Sequence, residues 1–129
     1  MGLQIFDERT VLTAVKLMLP ADGTAAVSIL PVHSSDRRVD SIIVSNRDTI
    51  AHVCNLTLVA GAVTVELGSV SVAASAGYLG TPGVDILASC LPATVVGLAM
   101  PPAGSLNLSL SVALVATFDL SVTVNGGVF

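Results

Sequence analysis

Near its C-terminal end the chain alternates strictly between apolar and polar side chains. Leu106, Leu108, Leu110, Val112 and Leu114 fall at every second position, with Asn107, Ser109, Ser111 and Ala113 between them. Side chains of an extended strand point to opposite faces in turn, so this period predicts a half-buried strand about 30 Å long. Leu120, Val122 and Val124 alternate with Asp119, Ser121, Thr123 and Asn125, which predicts a second strand ended by Gly126 and Gly127. The short gap between the two predicts an antiparallel hairpin.

The middle of the chain reads the same way. Val39 to Asn46 is expected to form a strand, closed by the turn residues Asn46, Arg47 and Asp48, whose short polar side chains cap turns. Thr49 to Ala60 is expected to be a long strand with Ile50, Cys54, Leu56 and Leu58 on one face, followed by a tight connection at Gly61 and Ala62. Val63, Val65 and Leu67 then alternate on odd positions, and Val70 and Val72 on even ones. A parity switch at Gly68 predicts a β-bulge, or a bend that lets one strand serve two sheets.

Residues 73–83 are a loop of small side chains. Thr81 and Pro82 are expected to cap a short helix at 82–91, because Val84, Leu87, Ala88 and Leu91 follow helical spacing. That helix is expected to cover an open end of the sheets. Val95 to Met100 is expected to be a further short strand stopped by Pro101 and Pro102. Val11 to Leu19 fits either a strand or a short helix, Pro20 to Gly23 a turn, and Ala25 to Val32 a strand whose Pro31 belongs at a sheet edge. The sum is an all-β fold, a two-sheet antiparallel β-sandwich of jelly-roll or Ig-like type with one short helix. It is expected to be one domain over residues 11–129, preceded by an N-terminal arm at 1–10.

Composition changes this picture in one respect. Only 11% of the 129 residues are charged, against about 25% in a typical soluble domain. All five basic residues, Arg9, Lys16, Arg37, Arg38 and Arg47, precede position 48. The surface is therefore neutral over most of its extent, which suits a face covered in an assembly. With a net charge of −4 and no basic stripe, a nucleic-acid partner is not expected. No apolar run is long enough for a spanning helix. The aromatic girdles of a membrane barrel are missing, and Asp7 and Glu8 stand where a secretory leader is basic. A membrane partner is not expected either.

Candidate chemistry is sparse. His52 and Cys54 share a strand face, and His33 and Cys90 could in principle complete a zinc site, but no close ligand pair is present. His52 is expected to be a core or edge histidine, and Cys54 and Cys90 two buried free thiols. Asp36, Asp40 and Asp48 lie near loops without calcium-loop spacing, and are expected to form a solvated rim. Arg37 and Arg38 read as solvated loop arginines. No serine sits in a G-x-S-x-G elbow, and the glycines form no phosphate loop. Asn55 and Asn107 open glycosylation triplets that fall inside predicted strands, where the modification is not expected. No cofactor, metal or catalytic residue is assigned, and the chain is expected not to be an enzyme.

Three stretches carry a resemblance: residues 40–53, residues 67–72 with 80–87, and residues 97–104 leading into the alternating leucine strand. Together, over about residues 38–127, they resemble small β-sandwich virion proteins of tailed bacteriophages, many of which are capsid decoration, or cement, proteins. The resemblance implies synthesis in the host cytoplasm, a place on the capsid surface in many copies, homotrimers, and a major capsid protein as partner. No catalytic residue is carried over. Asp7, Glu8 and Arg9 in the arm, with Arg37 and Arg38, are the candidate assembly contacts. Other expectations are a tail-tube, head–tail or fibre-base protein, and, from a different class, a carbohydrate-binding sandwich. The last is disfavoured because Tyr78 and three Phe offer few aromatic platforms.

Overall fold

The alternating segments become strands of two facing layers. The structure is a computed structural model and describes residues 10–78, 80–92, 95 and 97–128. In chain order the strands are β1 (Thr10–Met18), β2 (Val27–Leu30), β3 (Arg37–Asn46), β4 (His52–Ala60), β5 (Val63–Val72), β6 (Val84–Asp85), β7 (Leu98–Met100), β8 (Gly104–Leu110) and β9 (Leu120–Val128). One short helix, α1 (Ile86–Cys90), follows β6, and Pro20–Asp22 forms a 3-10 turn. Sheet one runs β1-β9-β3, with β6 and β7 both pairing the far side of β3; sheet two runs β2-β8-β4-β5. Every pairing is antiparallel. The expected two-sheet β-sandwich with one short helix is the observed architecture.

The core lies between the layers. Met18, Val39, Ile42, Val44, Leu120, Val122 and Val124 face inward from sheet one. They meet Leu30, Cys54, Leu56, Val72, Leu106, Leu108 and Leu110 from sheet two. Among the described residues this core holds no Phe, Tyr or Trp. It is an aliphatic interior whose cohesion comes from close packing of branched side chains. The helix α1 contacts both β3 and β5. With Ile86 and Leu87 buried, it bridges the two sheets along one side.

Several expectations need correction. The two C-terminal strands are not a hairpin: β8 pairs with β2 and β4, whereas β9 pairs with β1 and β3 in the other sheet. The strand also ends at Leu110. Beyond it the alternation is coincidental, since Val112 is 58% exposed while Leu114 is buried. Periodicity reports which side chains turn inward and carries no information about which strand lies alongside. Gly126 and Gly127 do not end β9; they pair with β3 and β1. β4 starts at His52, leaving Ile50 exposed in the preceding loop.

The bulge expected near Gly68 is present, as a register shift opposite Leu56 and Thr57, but β5 stays in one sheet throughout. The helix starts four residues later than expected, because Val84 and Asp85 first pair with Val44 and Ile43 in extended conformation. Asp85, not Thr81, is its cap, accepting from Leu87 N and Ala88 N. The strand expected from Val95 is β7 alone, and residues 93, 94 and 96 lie outside the described residues. Val11 to Leu19 resolves as strand β1.

A second bulge, in β3 between Val39 and Ser41, lies opposite Asn125 and Gly126. It switches the buried positions of β3 from Arg37 and Val39 to Ile42, Val44 and Asn46. The bulge brings the backbone of β3 so close to β9 that a Cβ at Gly126 would run into the Arg38 carbonyl. Gly126→Ala is therefore expected to destabilise the fold by about 1–3 kcal/mol, the usual cost of overpacking. The check is urea unfolding of the variant beside the parent protein.

Candidate functional site

β3 carries a buried polar group at each of its ends, and these define the two ends of the sandwich. At the Asn46 end, three connections converge: residues 46–52, 73–78 and 111–119. Asn46 holds two of them. Its Nδ2 donates to Ile50 O at 3.0 Å, Ala73 O at 3.2 Å and Val72 O at 3.4 Å, and its Oδ1 accepts from Asp48 N at 2.9 Å. This is the side-chain turn expected at Asn46.

Asp48 ties in the third. Its Oδ2 accepts from Val115 N at 2.8 Å and from His52 Nε2 at 2.8 Å, and its Oδ1 from Thr49 N at 2.6 Å. His52 reaches Val112 O through Nδ1 at 3.1 Å. Both side chains of the Asp48–His52 pair are fully buried. Burial acts to raise the Asp48 carboxyl, but the hydrogen bonds from Val115, His52 and Thr49 and the charge of His52 prevail and hold it at about 2. An ionised Asp48 offers only acceptors, as does the Val112 carbonyl. His52 bridges the two, with Nε2 toward the carboxylate and Nδ1 toward the carbonyl.

The pair does not resemble a catalytic dyad in function. Both ring nitrogens of His52 are occupied, and the ring is sealed from solvent. What it does chemically is hold two loops together. His52 is the core histidine expected from its strand face. The expectation that Asp48 belongs to a solvated rim with Asp36 and Asp40 is overturned, because Asp48 turns inward to meet its four donors. Asp36 and Asp40 are exposed.

The pinned loops enclose an open cavity of about 400 Å³ lined by Arg47, Ser75, Tyr78, Thr117 and Phe118. The Arg47 guanidinium lies 4.8 Å from the centre of the Tyr78 ring and 3.8 Å from Asp119 Oδ2. Ser75 and Thr117 both have positive φ, 62° and 74°, a conformation unfavourable for a β-branched residue such as Thr117. Sequence reading missed this site. Tyr78 and Phe118 are distant in the chain, and only the crossing of 111–119 between the sheets brings them together.

At the other end of β3, Arg37 and Arg38 lie in the strand and not in a solvated loop, which corrects their expected placement. Pairing with β7 and β9 begins at Arg37. Arg37 points inward and is 3% exposed, donating from Nη2 to Gly104 O at 2.7 Å. Burial pulls its pKa below the ordinary arginine value. Arg38 faces outward and pairs through Nε with Asp40 Oδ1 at 3.0 Å. An open cavity of about 490 Å³ adjoins them, lined also by Asp36, Ala99, Met100 and Pro101. Asp7, Glu8 and Arg9 lie outside the described residues.

Among the described residues no group of three His, Cys, Asp or Glu side chains is placed to hold a metal ion. His33 is exposed, with Nδ1 accepting from Ser35 N at 3.0 Å, and does not approach His52. Cys54 and Cys90 are both free thiols, but Cys90 is half-buried at the end of α1 instead of fully buried as expected. Burial pushes Cys54 up to about 12 and also raises Cys90. Cys54 is therefore expected to resist a thiol reagent until the protein unfolds, with Cys90 labelled first; mass spectrometry of a timed reaction checks the order.

Asp48→Asn is expected to cost about 3 kcal/mol or more, because it breaks the fully buried Asp48–His52 pair by changing one partner. Equilibrium denaturation measures it. The pH dependence has a definite sign. The unfolded Asp48 titrates near its ordinary value and the folded one at about 2, so between about pH 4 and 2 the unfolded state binds more protons. Stability present above about pH 4 is lost as pH falls through that window, and the Asp48→Asn variant is expected to lose less there than the parent. The chain matches no family model, no curated protein and no solved structure.

Proposed function

We propose that this protein is a non-enzymatic virion structural protein, a decoration protein that lies on the outer surface of a phage head and stabilises it. The observation that supports this reading best is the neutrality of the sandwich's outer faces. On edge strand β1, Val15 is 69% and Leu17 47% exposed, and Leu19, just beyond it, 46%. The β9 positions beside them are Ser121, Thr123 and Asn125. Across sheet two, Ser69 Oγ donates to Asn55 Oδ1 at 2.6 Å and Asn55 Nδ2 to Ser111 Oγ at 3.3 Å. Faces of this kind gain little from water and lose little by being covered. A ligand that binds only the assembled shell raises the shell's stability by mass action.

A second reading, a carbohydrate-binding module, is favoured by one observation: the cavity where Tyr78, Phe118 and Arg47 meet. It combines ring faces with a guanidinium and hydroxyls, the chemistry that sugars use.

Light scattering and co-sedimentation with phage heads decide between them. The decoration reading expects a native mass near three times the 13.0 kDa chain and saturable binding to heads. The double substitution Val15→Lys with Leu17→Lys, at exposed positions, is expected to yield a folded monomer. A parent that is monomeric at every concentration and leaves heads unbound overturns the reading. Loss of glycan binding on Tyr78→Ala would establish the alternative.

A further inference from the structure

We propose that the cavity beside Arg37 is a socket for a carboxylate side chain presented by a partner protein. Arg37 is a cation that is 97% removed from solvent, given its 3% exposure. Guanidinium has five N–H donors in a fixed fork. On Arg37, Nη2 is used by Gly104 O, and Nε is buried without an acceptor. None of the ion pairs among the described residues includes Arg37. Arg38, next to it, is engaged with Asp40. Asp36 lines the same cavity but is exposed and makes no ion pair with Arg37.

A buried charge without a counter-charge is costly, and a hydrophobic side chain of similar volume fills such a site more stably. Met100, on the same cavity wall, is that kind of filler. An arginine held at this cost, with a donor left over and an open cavity of about 490 Å³ alongside, is arranged to receive an anion. The geometry of the fork matches a carboxylate, which it binds through two parallel hydrogen bonds. The inference rests on the assembly reading only for the claim that the carboxylate belongs to a protein; the anion site stands without it.

The test uses the full chain with sodium acetate as probe and sodium chloride at equal ionic strength as control. The readouts are the Arg37 Nε–H resonance and the melting temperature. Acetate is expected to shift the resonance saturably and chloride to leave it in place. Arg37→Met is expected to melt at or above the parent temperature. No saturable response to acetate, or a marked fall in melting temperature for Arg37→Met, makes Arg37 a structural residue and overturns the proposal. If Asp7→Asn with Glu8→Gln moves the resonance of the free protein, the chain's own N-terminal segment fills the socket, and the partner claim falls. A resonance that moves with protein concentration alone assigns the socket to a second copy and likewise overturns it. Heads that bind the parent and Arg37→Met equally overturn the proposal but leave the decoration reading standing. Heads that bind neither overturn the decoration reading, and the acetate titration still decides the anion site.

Discussion

The loop end of this sandwich depends on a single buried carboxylate. Asp48 collects donors from Val115, His52 and Thr49, each from a different part of the backbone or its side chains. In a low-dielectric interior such bonds are strong, and an unmatched member is expensive, so the set behaves as a unit. Through it the crossing segment 111–119, which has no regular structure to hold it, is fixed against the turn after β3. Asn46 extends the same unit to residues 72 and 73. The strained backbone at Ser75 and Thr117 is tolerated because the segments on either side are held from within.

What links this end to the other is the irregularity in β3. In a regular strand, residues separated by an odd number of positions face opposite sides. Arg37 and Asn46 are such a pair, yet both point into the sandwich. The bulge between Val39 and Ser41 changes the parity, so one strand can seat a buried guanidinium at one end and a buried amide at the other. Gly126 on β9 makes the close approach possible, since any larger residue would meet the Arg38 carbonyl. A backbone detail of β3 and β9 thus decides what chemistry each end of the molecule contains.

The layer architecture was legible because it depends on local alternation. The β9 segment, the turn at Asn46 and the bulge near Gly68 each left a pattern of neighbours in sequence. The partners of β8 and β9 left none, because strand pairing is a long-range choice among similar alternating segments. The β3 bulge leaves only a faint trace in the sequence, the three-residue step from Val39 to Ile42. Asp48 and His52 look like a rim acid and a core histidine when each is taken alone, although their spacing of four places them on one turn-and-strand unit. The charge of Arg37 points to solvent. The usual preference of arginine for water is correct on average, and it fails here at the position whose guanidinium lacks an ion partner among the described residues.

The two kinds of surface on this molecule would answer differently to salt. On the outer face of sheet one, Asn125 Nδ2 donates to Ser41 Oγ at 3.2 Å, and Thr123 and Ser121 continue a row without charge toward Val15 and Leu17. An association built there rests on burial and neutral hydrogen bonds, which ionic strength barely affects. A carboxylate seated on Arg37, as proposed, would pair with a buried guanidinium, and only its encounter step would weaken as salt rises. Contacts of the first kind favour persistence and contacts of the second kind favour choice of partner. On the proposed reading, a chain with only five basic residues that keeps one of them buried would use charge for selection of a partner and neutral faces for adhesion.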